Sequence, residues 1–600
     1  MLVTRENQSE VCARFANSGE YGLDTETTGL RAYHDDSAFS LILSDSSGAF
    51  YFNFQAYDLD ESFVLEKDEV FSLLAPAFDN TETTWFIGNA KFDMGMLAKE
   101  GVFLSGKIHD TEVTGRIIYN ADFRYGVDAL AKRYGEEKDQ GVDDYIAKNR
   151  LYTWLHAPGK KKKAKQPHYD KVPFSIIVPY GEKDGMVIRH IGMEQKKELA
   201  AIDESMPGWD VPRLCENDWE LTKTCFAMER VGIKIDRAYC EQQYQAETAR
   251  MADYARDFTE TSGFEFKDSN KQLAMAFDAA GEKYPMTEKG NPSFKDSVLQ
   301  GFTSPLAKLL QGYRDASKKS GTYYGNFLYY ADDQDLVHAN IRMAGTKTGR
   351  FSYADPNLQN IPRNSADNPG GAQVRKSFIP RSDEWCFVMI DFDQMEYRLM
   401  LDYAGEEGII SKILDHGLDV HEATAEMMGV ARYAAKTINF MLLYGGGDQK
   451  LATALDISFV EAKNLKRQYF STLPKVASFI NRVRRKAETG FVVNWAGRRY
   501  FFADPNDAYK APNHLIQGGC ADIMRFGMNS LSDILENYRT RMLVQVHDEI
   551  VFAVHKSEFD IIPTLKSTME NVYPHKRLPL SCGVDHSWKS WGDKVPGLPS

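Results

Sequence analysis

Hydrophobic and polar residues alternate from Tyr21 to Phe54 in three runs, Tyr21-Gly-Leu-Asp-Thr-Glu, Phe39-Ser-Leu-Ile-Leu-Ser and Ala49-Phe-Tyr-Phe-Asn-Phe, the last two separated by Asp45-Ser-Ser-Gly. A period of two bounded by turn residues predicts a β-meander. The period becomes helical over 91–100 and 126–134, so this first region is mixed α/β. The stretch 158–167, Pro-Gly-Lys-Lys-Lys-Lys-Ala-Lys-Gln-Pro, is expected to be a loop whose charge is merely solvated. A helical stretch within 216–236 stops at Gly232, where a strand begins, and a domain boundary is placed there. Residues 237–340 read as mainly helical, and strand-like stretches at 386–393 and 541–554 enclose a helical block from 400 to 490.

Six hundred residues exceed one core, and ~150 residues per domain predicts three to five domains. With 43% hydrophobic and 26% charged residues, disordered and fibrous classes are excluded. The net charge of −13 argues at first against a nucleic-acid ligand. Its distribution changes that: residues 1–140 hold 12 Lys and Arg against 25 Asp and Glu, whereas residues 141–600 are balanced at 60 each. An acidic domain is therefore joined to a neutral one. Seven scattered cysteines without a C-x-x-C pair fit a reducing cytosol and offer no zinc site. No leader-like start and no apolar run near ~18 residues is present, so a soluble cytoplasmic protein without a membrane partner is expected.

Asp24 and Glu26 stand two apart on a predicted strand and share a face. Side-by-side anions repel unless a cation lies between them, which makes divalent metal binding their natural use. Asp93 follows in Asn89-Ala-Lys-Phe-Asp, near a helix start, and Tyr180 and Asp184 share a helical face at i and i+4. Four acids and a phenol can hold two metal ions and position a water for displacement at phosphorus. These motifs resemble the tyrosine-bearing DEDD 3′–5′ exonucleases, which implies an RNase-H-like fold over residues 1–200. Asp218 competes for the last position, but Leu214 stands where the tyrosine is needed, so Asp218 is given no chemistry.

Further on, an apolar strand ends at Asp391, with Glu396 on the helix that follows. Apolar runs flank His547-Asp548-Glu549, predicting a hairpin with Asp548 at its tip. Nothing in chain order brings Asp391 and Asp548 together. Between them Arg432, Lys436, Phe440 and Tyr444 recur every four residues, leaving Ile438, Met441 and Leu442 largely off that stripe. Two cations followed by two rings suit a nucleoside triphosphate.

Together with Thr348-Gly-Arg-Phe-Ser-Tyr, these motifs resemble a family A DNA polymerase, and the order implies a right hand. On that resemblance the chain is a multidomain α/β protein: exonuclease 1–200, linking helix 201–236, thumb 237–345, palm 346–400, fingers 401–500 and palm again 501–600. Its implied activity is DNA-templated DNA synthesis with proofreading. Asp391 and Asp548, accompanied by Glu549, would hold two Mg²⁺ ions, and Asp24, Glu26, Asp93 and Asp184 two more, with Tyr180 beside them; Mn²⁺ could substitute. Arg432, Lys436, His421 and Gln394 would serve the nucleotide. Phe440 would stack on it and disfavour dideoxynucleotides, while Tyr444 and Glu396 would exclude a ribose 2′-hydroxyl.

The resemblance also implies that Thr348, Arg350, Asn513, Gln517 and His547 contact primer-template, largely in the minor groove, where acceptors are similar for all bases. Asp393 and Tyr509 depart from the family's usual residues: Asp393 is expected to face solvent, and Tyr509, where Arg is common, puts one template contact in doubt. A monomer binding primer-template DNA, dNTPs and single-stranded 3′ ends is expected. Neither a preceding 5′-nuclease nor a thumb insertion for a processivity factor is expected, as in a compact phage-type replicase. A single-subunit RNA polymerase and a repair protein with only a live exonuclease are the rival classes.

Overall fold

The computed structural model describes residues 1–600 except 57–62, 121–123, 161, 206–209, 288, 300, 303, 344, 364–369, 444 and 600. The alternating runs form β1 (Glu20–Thr27), β2 (Ala38–Asp45) and β3 (Gly48–Asn53), joined antiparallel as a meander. β4 (Thr84–Ile87) and β5 (Lys107–Asp110) extend the other edge of β1 in parallel, giving the order β3-β2-β1-β4-β5. This is the RNase-H-like sheet expected of the first 200 residues. The 32-residue helix Phe174–Ser205 lies across it. It comes close because a Cβ on Gly185 would meet Ile42 Cγ2 at 2.6 Å, and one on Gly192 would meet Phe86 Cδ1 at 2.0 Å.

The basic stretch departs from the loop expected of it. Residues Ala164–Pro167 are a strand, β7, paired antiparallel with β6 (Tyr152–Leu155), with a turn at Pro158 and Gly159 between them. Composition gave the wrong reading because a two-stranded ribbon with little apolar surface leaves almost no hydrophobic period.

Helix Val211–Val231 ends at Gly232, which has φ 64°, and a short strand Ile233–Lys234 follows. This helix serves two cores. Phe226 packs with Leu97, Leu104 and Trp85 of the N-terminal core, whereas Leu214, Cys215, Leu221 and Cys225 belong to the large core of the rest of the chain. Its Asp218 is fully buried, 2.7 Å from Arg525 Nη1 and 3.1 Å from Arg498 Nη2, and Arg498 also binds Asp522 at 2.7 Å. Asp218 is thus a buried structural anion, in keeping with the absence of a tyrosine partner.

The 26-residue helix Arg237–Ser262 packs against Pro305–Ser317 and the π-helical segment Lys318–Gly325. A small separate core around Phe258, Phe277 and Leu310 fills the tip of this helical arm. Beyond it, β8 (Trp385–Phe392) is central in a five-stranded antiparallel sheet with β9 (Arg541–Val546), β10 (Glu549–His555), β11 (Cys582–Ser587) and β12 (Val595–Pro596). The strands β9 and β10 form the hairpin predicted around Asp548. Helix Val211–Val231 packs on β9 and helix Ile562–Asn571 on β11, while Ala511–Leu535 packs against Val211–Val231 and Met395–Ala404. Among the described residues no helix is long and apolar enough to cross a membrane, and all seven cysteines are buried and free.

Candidate active sites

Asp391 is the penultimate residue of β8, and its cross-strand partner is Glu549 at the start of β10. Phe392 N–H donates to the Asp548 carbonyl at 3.2 Å, so strand pairing places the two motifs side by side. His547 makes the turn with φ 59°, and Gln394 turns the chain from β8 into the next helix with φ 50°. Non-glycine residues hold this conformation only where the surroundings enforce it.

Burial, then repulsion from Asp548 and Glu549, raises the Asp391 carboxyl to about 8. Asp548 is raised too, mainly by burial, although Arg363 and Arg350 counter the shift. Asp391 Oδ1 is buried without a hydrogen-bond partner among the described residues. Glu549 is differently placed: its carboxylate accepts from Trp591 Nε1 at 3.3 Å and Lys594 Nζ at 3.1 Å, with Arg375 Nη1 at 3.6 Å.

A cleft of about 420 Å³ opens above the Asp548 hairpin and brings together Arg350, Gln394, Glu396, His421, Phe440 and His547. Arg350 is ion-paired with Glu396. Asn439, which periodicity alone did not single out, donates from Nδ2 to His421 Nδ1 at 3.0 Å. That bond leaves the proton of the neutral ring on Nε2. Burial above all lowers the His421 pKa to about 4, so the ring is a neutral donor near neutrality.

Arg432 and Lys436 lie on the same helix, Arg432–Leu443, but outside the cleft lining. Arg432 Nε donates to Asp419 Oδ2 at 3.0 Å, and Asp419 also caps the preceding helix Val420–Met428; Lys436 is exposed. Ile438 and Leu442 are buried off the stripe as expected. Tyr444 lies outside the described residues. Thr348, Asn513 and Gln517 do not line the cleft. Asn513 and Gln517 are one turn apart on Ala511–Leu535, and the Thr348 carbonyl accepts from Tyr500 Oη at 3.2 Å. Asp393 is exposed and accepts from Ser581 Oγ at 2.9 Å; Tyr509 is exposed.

The second cluster lies on the N-terminal five-stranded sheet. Asp24 and Glu26 project from β1, Asp93 from helix Ala90–Lys99, and Asp184 from Phe174–Ser205. Asp93 Oδ1 accepts from Thr25 N at 3.1 Å and Thr25 Oγ1 at 2.6 Å. Burial raises all four carboxyls, Asp24 to about 7, and Asp24 and Glu26 are raised further by Asp184. Burial followed by Glu26 and Asp184 also raises the Tyr180 phenol. Lys138, which carries no motif signal, sits 2.8 Å from Asp184 Oδ2 and is the counter-charge of the cluster.

Among the described residues no three Asp, Glu, His or Cys side chains converge into a ready chelate. The donors nevertheless suit a divalent cation. Both clusters supply hard carboxylate oxygens, and each contains one, Asp391 Oδ1 or Asp184 Oδ1, buried without a hydrogen-bond partner among the described residues.

Two family models match this chain, DNA polymerase family A over residues 237–593 and 3′-5′ exonuclease over residues 1–199. Similar curated proteins include the DNA polymerase I of Chloroflexus aurantiacus, 26% identical over 98% of this chain and 63% of its own length. The thermostable DNA polymerase I of Thermus aquaticus is 32% identical over 60% of this chain and 46% of its own. That of Helicobacter pylori is 30% identical over 61% of this chain and 42% of its own, so the chain spans only part of these relatives' length. Among solved structures, the POL domain of Pol1 from M. smegmatis, in complex with DNA primer-template and dNTP, matches with a TM-score of 0.80. It is 23% identical over 98% of this chain and 99% of that one, a likeness of fold.

Proposed function

Because the chain belongs to DNA polymerase family A, we propose that it extends a DNA primer 3′-OH with dNTPs on a DNA template and that its first 200 residues remove mispaired 3′ ends. The observation that carries this reading is the strand pairing that sets Asp391 beside Asp548 under a cleft holding Arg350, Glu396, His421 and Phe440.

In the polymerase cluster Asp391 and Asp548 would hold two Mg²⁺ ions, and Mn²⁺ could replace them. Bound there, the metal supplies the charge that acidifies the primer 3′-OH and neutralises the leaving pyrophosphate. Arg432 exchanges Asp419 for triphosphate oxygens, Lys436 adds a second cation, and His421 donates from Nε2 with Asn439 fixing its tautomer. Phe440 stacks on the incoming nucleotide, with Gln394 at the base of the cleft. Glu396, paired with Arg350, lies against the sugar, so a ribose hydroxyl crowds the pair or strands a charge. Glu549 anchors the hairpin through Arg375, Lys594 and Trp591. Thr348, Arg350, Asn513, Gln517 and His547 contact primer-template.

In the exonuclease cluster Asp24, Glu26, Asp93 and Asp184 would hold two further Mg²⁺ ions, and the protonated Tyr180 hydroxyl orients the attacking water. The protein acts as a cytoplasmic monomer on primer-template DNA and single-stranded 3′ ends. A labelled primer-template in Mg²⁺ tests the reading: the primer should lengthen with dNTPs and shorten without them. Ribonucleotide use at matching rates would refute the choice of a DNA polymerase, and a primer unchanged under both conditions would refute both activities.

A further inference from the structure

The ribbon β6–β7 bridges two parts of the molecule. At one end it lies on the loop after β1: a Cβ on Gly29, three residues beyond Glu26, would meet Gln166 Nε2 at 2.2 Å. At the other end it touches the helical arm backbone to backbone. A Cβ on Gly321 would stand 2.8 Å from Gly159 Cα, and Gly159 itself has φ 70°. Gly321 lies in the π-helical segment Lys318–Gly325, a form that recurs at functional positions. The ribbon is therefore docked against the arm at its turn.

Beneath it runs a second cleft of about 530 Å³. Its lining includes Lys160, Lys162 and Lys163 of the ribbon, Tyr329 and Tyr330 of the arm, and Asn89 and Phe92, next to Asp93. Two other cations of the cleft are already engaged: Arg31 Nη2 donates to the Tyr329 carbonyl at 3.0 Å, and Lys91 is ion-paired with Glu229. The three ribbon lysines are exposed and have no ion-pair partner among the described residues. They are unpaired cations in a region whose first 140 residues carry 25 acids against 12 bases. An anionic strand approaching the carboxylates needs local cations to offset that field, and a cleft lined by lysines and by tyrosines over which the Arg31 guanidinium lies, 4.9 Å from the Tyr329 ring, fits phosphates and bases.

The geometry points to a binding site for single-stranded DNA between the ribbon and the arm, in which Lys160, Lys162 and Lys163 hold the phosphates of the strand leading to the exonuclease carboxylates. The inference rests on the exonuclease reading above. It gives the Lys-rich turn a ligand and makes the docking of Gly159 on Gly321 the contact that keeps this site closed.

The test uses the full-length protein in EDTA and a labelled single-stranded oligodeoxynucleotide. The triple variant Lys160→Ala, Lys162→Ala, Lys163→Ala should bind at least tenfold more weakly, and its slope of log K against log salt should be shallower by about 2, at about 0.7 per phosphate contact. Its primer extension with dNTPs should equal wild type. Gly321→Ala, which forces the ribbon off the arm, should also weaken single-strand binding at least threefold while sparing extension. An unchanged affinity and salt slope in the triple variant would overturn the lysine site. Unchanged binding in Gly321→Ala would overturn the docked arrangement. Failure of the exonuclease reading is distinct, since wild type itself would then leave single strands intact in Mg²⁺.

Discussion

Asp391 and Asp548 lose most of their hydration in the folded chain and face each other's charge, so removing either should disable one cluster without touching the other. Asp548→Ala is expected to abolish primer extension while single-strand degradation continues, and the double substitution Asp24→Ala, Glu26→Ala should do the reverse. Parallel loss of both activities from either variant would refute two separate sites. The raised carboxyls also set a pH dependence. A folded-state pKa above the ordinary carboxylate value means that the folded chain holds protons the unfolded chain has released. Their contribution to stability is therefore present at low pH and is lost as pH rises from about 4 through about 8. Thermal unfolding in EDTA should show this decline, shallower in Asp391→Asn. Metal must displace those protons, so stabilisation by Mg²⁺ should grow over the same range; a pH-independent Mg²⁺ effect would contradict it. The acids were readable because alternation fixes which face a strand residue uses. Lys138 and Asn439 were not, since each acts through a partner 46 or 18 positions away and carries no motif.

At the scale of elements the informative piece is the helix Val211–Val231. Its end at Gly232 was legible because a residue with φ 64° stops a helix and glycine takes that conformation freely. Its contribution to two cores was not, since amphipathic periodicity shows that a face is buried without showing against what. The buried Asp218 makes the point energetically. Asp218→Ala leaves Arg525 and Arg498 facing an empty site, and loss of one partner of a buried ion pair costs about 3–5 kcal/mol. Chemical denaturation should register that loss, whereas extension and degradation per folded molecule should stay near wild type at low temperature. A selective loss of either activity would mean that Asp218 has chemistry after all. The ribbon is the opposite case: four exposed lysines disguise a strand that pairing, rather than hydrophobicity, holds in place.

Across the whole molecule the order of elements was legible because the carboxylate motifs at Glu26, Asp93, Asp391 and Asp548 sit where a strand or helix begins or ends, and such ends have local signals. How the pieces meet was not, because the joins are one helix shared by two cores and scattered polar contacts, neither of which has a local signal. Arg116 Nη2 donates to the Thr346 carbonyl at 2.8 Å and Asn120 Nδ2 to the Lys347 carbonyl at 3.1 Å, tying the exonuclease unit to the segment that carries Arg350. Trp219 Nε1 reaches Thr114 Oγ1 at 2.9 Å, and its ring stacks on His109 at 4.4 Å. The shared helix therefore decides how the gene can be divided. A break after codon 200 takes Phe226 and Trp219 away from the sheet they cover, while a break after codon 236 carries the Asp218 charge into water, strips Arg525 of its counter-ion and leaves Arg498 with Asp522 alone. Neither half can be lifted out intact, so a division that separated the two units would have to rebuild a core first.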